Sequence, residues 1–162
     1  MDKVKALLGR GGDEYLCLVG ERDRRYYDFP GGGVELGESV EDGLFRELDE
    51  ELGFANLVED VNSVEPIPYC KTIDGEGVRN VYPFHIDVGS DFEPDLSDEH
   101  IGYEWLGADD LRSATEGEIL THYRLLFFEY TRRFRDKEPS NPPVFEEGEL
   151  PNNIQKLLDE VE

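Results

Sequence analysis

The chain is 162 residues long, about one domain's worth, and sets 39 Asp and Glu against 16 Lys and Arg, a formal net charge of −23. Leu, Ile, Val and Phe make up about 28% of the residues, above the floor of roughly 20% below which a charged chain cannot fold, so a core lies inside an anionic shell. That shell repels a nucleic-acid backbone and anionic lipid headgroups, and no apolar run approaches the length of a membrane span.

The start, Met1-Asp2-Lys3, carries no apolar leader, and a cytoplasmic location is expected. Val4–Leu8 and Glu14–Val19 read as strands around the turn from Gly9 to Asp13. Arg22, Arg24 and Arg25 follow, either as a charged hairpin turn or as cations facing an anionic group. Tyr26–Phe29 is a short strand stopped by Pro30-Gly31-Gly32-Gly33. A helix comes next. Ser39 is its N-cap, with Asp42 as a capping-box variant, and Gly53 is its C-terminal stop. Leu44, Leu48 and Leu52, joined by Phe45, form its apolar stripe.

Asn80–Val88 alternates strictly, with Tyr82, Phe84, Ile86 and Val88 on one face, and Pro83 points to a sheet edge or a bulge. Ile101, Tyr103 and Trp105 alternate again. Glu116–Arg135 is expected as the longest helix, capped by Thr115 with Glu118, its buried stripe running through Ile119, Tyr123, Leu126, Phe127, Tyr130 and Phe134. Arg132, Arg133 and Arg135 suit the negative end of its dipole. Pro139 to Pro143 reads as a linker, followed by an amphipathic helix through Ile154, Leu157, Leu158 and Val161. The expected organisation is a domain over 1–138, with a linker and C-terminal helix over 139–162 packing on it.

The chemistry concentrates in the helix after the glycines. At about 100° per residue, Glu47, Glu50 and Glu51 share a flank away from the leucines. Like charges at this spacing cost about 0.2–0.5 kcal/mol per pair, a cost that a hard divalent cation reverses. In a chain with 23 Glu, the same three residues also read as ordinary solvated surface. Cys17 and Cys70 are too few for a disulfide framework and read as small buried apolar residues. His85, His100 and His122 lack ligand spacing.

The wider pattern decides between those readings. From Gly32 the chain runs five residues to Glu38, then seven to Arg46-Glu47-Leu48-Asp49-Glu50-Glu51-Leu52-Gly53-Phe54. This resembles the Nudix box, G-x5-E-x7-R-E-U-x-E-E-x-G-U, with U a bulky apolar residue; only the aromatic Phe54 departs from the usual aliphatic. A P-loop reading of Gly32 to Ser39 fails because Glu38 stands where a phosphate-gripping lysine belongs.

The resemblance implies an α/β/α sandwich with a mixed β-sheet, of the α/β or α+β class. It also implies hydrolysis of nucleoside diphosphates linked to another moiety, with Mg²⁺ or Mn²⁺. Glu47, Glu50 and Glu51 would be metal carboxylates, and Gly31 would add a backbone carbonyl. Arg46 would orient the neighbouring glutamate, paired with Glu38. The stretch from Glu99 through His100, Tyr103, Trp105 and Leu106 resembles Nudix subgroups acting on dinucleoside polyphosphates, which makes Glu99 a candidate extra ligand or base. Glu47 shares the candidacy for base. Arg25, Tyr27 and Tyr82 are substrate-binding candidates. Expected substrates are dinucleoside tetraphosphates, ordinary and oxidised nucleoside triphosphates, or nucleotide sugars, the first two favoured by the Glu99 loop. A non-hydrolytic Nudix-fold nucleotide sensor is the alternative. Long nucleic acids and membranes are not expected as partners, and a homodimer stays open.

The charge has one further implication. Of the 16 cations, 11 are Arg and 5 are Lys, and a carboxylate-rich, lysine-poor composition suits a halophile. There, molar salt screens self-repulsion to a Debye length of about 3 Å.

Overall fold

The computed structural model describes residues 2–21, 25–113, 118–119, 122–146 and 154–162. In chain order, β1 (Lys3–Arg10), β2 (Glu14–Glu21), β3 (Arg25–Asp28) and β4 (Gly31–Gly33) lead into helix α1 (Val40–Leu52). Two short 3₁₀ turns follow, then β5 (Val61–Pro66), β6 (Cys70–Asp74), β7 (Gly77–Val88) and β8 (Gly102–Gly107). Helix α2 (Ala108–Arg112), β9 (Glu118–Ile119), α3 (His122–Arg133), β10 (Val144–Glu146) and α4 (Ile154–Val161) complete the described chain.

The strands form one mixed, branched sheet with a central path β10-β6-β7-β1-β2-β3-β9. Period-two alternation sorts its side chains onto two covered faces. Val4, Ala6 and Leu8 of β1, with Leu16 and Leu18 of β2, pack with Leu44, Leu48 and Leu52 of α1. Leu7, Tyr15, Cys17 and Val19 point the other way, into a core with Leu126, Phe127, Tyr130 and Leu158 of α3 and α4. The layers are therefore helix, mixed sheet and helices, an α/β/α sandwich. Both cysteines are buried and unbridged, and burial pushes their thiols up, that of Cys70 to about 12.

Three branch points shape the sheet. Near the tight turn β1 pairs with β2, but its first half pairs instead with the glycine strand: Lys3 with Gly33, Val4 with Gly32, Lys5 with Gly31. β2 continues beside β8 as well as β3. β7, parallel to β1 on one side, pairs on the other with β6 up to Val81 and with β5 from Phe84. Pro83 sits at that change of partner. The strand is interior rather than an edge, and the proline is tolerated because no ladder bond is required of it where one neighbour ends and the next begins.

Other elements also depart from the sequence reading. Phe45 is 43% exposed and lies outside the buried stripe of α1. The helix expected from Glu116 starts at His122 and is shorter than α1, while Glu118–Ile119 pairs with β3. The β-branched Ile119 opposes a helical start there. Thr115 lies outside the described residues. Behind Pro143, β10 extends the sheet as a parallel neighbour of β6, and Phe145 is buried, so this stretch is more than a linker. Of the three arginines at the end of α3, Arg132 pairs with Glu129 inside the helix, while two tie elements together: Arg133 pairs with Asp159 and Glu162 at the α4 end, and Arg135 pairs with Glu65 and Asp87.

Candidate active site

Helix α1 is held at both ends. At its start, the Ser39 hydroxyl accepts the Asp42 N–H at 3.1 Å. At its end, Gly53 adopts a left-handed φ of 65° and donates to the Asp49 carbonyl. The last turn would leave carbonyls unpaired, but the segment after β7 takes two of them: Asp95 N–H donates to Leu52 O at 2.9 Å, and Ser97 N–H to Glu51 O at 3.2 Å. The same bonds draw the Glu99 loop over the carboxylate flank of the helix.

Two glycines let that flank lie against the sheet. Gly31 has φ 144°, and a β-carbon there would meet the Val4 carbonyl at 2.1 Å. At Gly32 a β-carbon would sit 2.4 Å from the Glu47 carboxylate, so only the bare backbone admits Glu47. Gly31 N–H donates to Glu51 Oε1 at 2.8 Å. It is thus the amide of Gly31, not its carbonyl, that this geometry ties to a carboxylate.

Arg46 organises the rest. Its Nε and Nη2 grip Glu38 bidentately at 2.8 and 3.0 Å, and Nη2 also donates to Gly33 O at 2.8 Å. Nη1 donates to Glu47 at 3.1 Å and, more loosely, to Glu50 at 3.4 Å. One guanidinium therefore fastens the glycine strand, the loop before α1 and two of the three helix carboxylates. Its hydrogen bonds hold the Glu38 carboxyl below its usual range.

The three helix glutamates differ in environment. Glu51 is 6% exposed, and burial pushes its carboxyl up to about 7, against relief from the Gly31 amide and Lys5. Glu47 is partly buried and also raised, first by desolvation. Glu50 is open to solvent. Donor atoms of Glu51, Glu99 and His100 all lie within 4.8 Å of one another, the one such metal-capable cluster among the described residues.

The remaining candidates separate. Tyr82 shares a cross-strand row with Val4 and Gly32 on the α1 face, its ring 5.8 Å from Tyr69. Tyr27 is 4% exposed, lies in the core on the opposite face, and its hydroxyl donates to Glu104 at 2.8 Å. It has no free ring face to stack on a base. Arg25 lies 3.7 Å from that same Glu104. Arg22 and Arg24 lie outside the described residues. Sequence spacing gave no sign that His100 reaches Glu51 and Glu99, nor of the part-buried Lys5–Asp28 pair at 3.0 Å, with Arg124 on the same carboxylate oxygen. Alternation places Lys5 on a strand, but nothing local pairs it with Asp28.

A mixed-sheet sandwich with a glycine strand feeding an arginine-braced carboxylate helix defines the class of protein. Comparison with known proteins agrees. Residues 3–142 match the family model described as NUDIX domain. A segment of 117 residues is 30% identical to the nucleoside triphosphatase NudI of Escherichia coli, covering 67% of this chain and 82% of that protein. A 60-residue segment is 37% identical to the RNA pyrophosphohydrolase of Campylobacter jejuni, covering 36% of each. The crystal structure of a MutT protein from Methanosarcina mazei Go1 superposes with TM-score 0.61 at 26% identity, covering 85% of this chain and 96% of that one. The chain spans 28–36% of the length of the curated relatives first matched. It belongs to the Nudix family.

Nudix hydrolases use divalent metals, and the donors here fit one. Glu51 is a buried carboxylate next to further carboxylates, raised in pKa by burial and by the Glu47 charge. The buried Nδ1 of His100 has no hydrogen-bond partner among the described residues. Both are conditions that a cation among these groups relieves.

Proposed function

We propose that the chain is a divalent-metal-dependent Nudix hydrolase that cleaves a phosphoanhydride bond of a nucleoside polyphosphate, or of a nucleoside diphosphate linked to another moiety. The observation that carries this reading is the convergence of Glu47 and Glu51 on the glycine strand under the brace of Arg46. When bound, the cation would neutralise phosphate oxygens and acidify the attacking water. Mg²⁺ and Mn²⁺ are the candidate ions, held by Glu47, Glu50, Glu51 and Glu99, with the Gly31 carbonyl as a further donor.

The protein's own groups do the positioning. Arg46 holds Glu47 and Glu50 in place and keeps Glu38 ionised. Gly31 and Gly32 let the carboxylates approach the backbone that the polyphosphate would lie along. Water attacks phosphorus in line, one P–O bond forms, and the bond to the phosphorylated leaving group breaks. The proton passes to a carboxylate on the same face, Glu47 or Glu99. Tyr82, on that face, is the base-stacking candidate, and Arg25 remains a candidate for the distal phosphate.

Dinucleoside tetraphosphates and nucleoside triphosphates, ordinary or oxidised, are the favoured substrates, supported by the Glu99 loop and by the NudI likeness. The Campylobacter relative is named for RNA, but a net charge of −23 opposes a long polyanion here. A small polyphosphate carrying its own cation meets less repulsion. Composition supports a salt-rich cytoplasm as the setting. No helix among the described residues is long and apolar enough to cross a membrane.

The test is a nucleotide panel in Mg²⁺ and in Mn²⁺ at molar KCl with product identification. Release of phosphate, pyrophosphate or nucleotide is expected. Absence of all three across the panel overturns the reading.

A further inference from the structure

The Glu51–Glu99–His100 cluster differs from the all-oxygen set that the sequence suggests. Glu51 comes from the end of α1, and Glu99 and His100 from the loop strapped across it by the Asp95 and Ser97 amides. Neighbours in a chain usually diverge, yet here both loop side chains reach Glu51, with all donor atoms inside 4.8 Å. Glu51 is buried, and the Nδ1 atom of His100 is itself buried with no hydrogen-bond partner among the described residues. One imidazole nitrogen of His100 lies beside the two carboxylates, and a ring nitrogen so placed is an electron-pair donor for a cation held there.

We propose that His100 supplies a nitrogen ligand to the cation shared with Glu51 and Glu99, so that this site takes a first-row transition ion such as Mn²⁺ or Co²⁺ in preference to Mg²⁺. The physical ground is ligand character. Mg²⁺ demands octahedral oxygen donors and keeps its waters, whereas an imidazole nitrogen adds affinity for transition ions and little for Mg²⁺. The proposal rests on the reading that these carboxylates hold a divalent cation; it does not depend on which nucleotide is hydrolysed.

Mn²⁺ alone serves as the probe, with full-length protein at molar KCl. Binding is followed by loss of the free Mn²⁺ EPR signal, Mg²⁺ competition gives the relative affinity, and pulsed EPR reports nitrogen bound to the ion. Wild-type protein is expected to show ¹⁴N coupling, and His100→Asn to lose it with at least a tenfold drop in Mn²⁺ affinity, on the order of other metal-site losses. His100→Asp restores an all-oxygen set and should shift the preference toward Mg²⁺. Bound Mn²⁺ without ¹⁴N coupling in the wild type overturns the proposal with no variant needed, as does His100→Asn with unchanged affinity and coupling. Undiminished Mn²⁺ binding by Glu51→Gln would instead mean that the cation sits elsewhere, which defeats the underlying reading of the site.

Discussion

Replacing Glu51 by Gln should make the metal-free protein more stable at neutral and alkaline pH. The carboxyl is 6% exposed and is pushed from its ordinary 4.5 up to about 7, chiefly by burial. The folded state therefore holds this proton more tightly than the unfolded chain does. Glu51 favours folding fully below about pH 4.5, and that contribution is lost as pH rises toward 7. The gap of about 2.5 pH units, at about 1.4 kcal/mol each, amounts to about 3.5 kcal/mol. Glutamine keeps the oxygen that accepts the Gly31 N–H but carries no charge. Urea unfolding in EDTA at constant molar KCl measures the difference. With a slope of about 2 kcal/mol/M, the variant's midpoint should exceed that of the wild type by about 1.7 M at pH 8 and coincide with it near pH 4.5. Adding Mn²⁺ should stabilise the wild type and not the variant. A midpoint difference that stays flat from pH 4.5 to 8, or a wild type more stable at pH 8, would refute the assignment of burial as the dominant cost.

Further outcomes follow from the same geometry. Arg46→Lys removes the bidentate grip on Glu38 and cannot also reach Glu47 and Gly33 O; steady-state kinetics should show kcat reduced by about 10–100-fold, with the unfolding midpoint little changed. Gly32→Ala puts a methyl where the Glu47 carboxylate lies, so metal affinity measured by calorimetry should fall while circular dichroism still reports a folded chain. Leu158→Ala tests whether the C-terminal helix belongs to the same folding unit: this side chain is fully buried in the α3-side core, and its loss should cost about 2–5 kcal/mol in urea unfolding. Thermal unfolding followed from 0.1 to 2 M KCl should rise in midpoint as screening shortens from about 10 Å to a few Å; a falling midpoint would contradict a fold limited by its own negative charge.

Local spacing already held much of this protein. The strands around the first turn, the leucine stripe and caps of α1, and the Glu47-Glu50-Glu51 flank were legible because each depends on periodicity within one element. The Arg46–Glu38 pair was legible too, through the motif that spans them. Net charge alone gave the expectation that long nucleic acids and anionic membranes are disfavoured as partners. Tertiary packing decided what periodicity cannot reach. Phe45 was exposed because the core beneath α1 is filled by three leucines, and Tyr27 was drawn into the opposite core by its place on β3. Pro83 became interior because β5 and β6 divide one edge of β7 between them. Above all, the burial that separates Glu51 from the solvent-facing Glu50, and the strap that brings His100 beside it, arise from carbonyls at the end of α1 taking amides from residues 95 and 97. The sequence thus determined which groups could bind a cation, by type and local spacing. Only the fold determined which of them are desolvated together, because burial depends on residues far away in the chain.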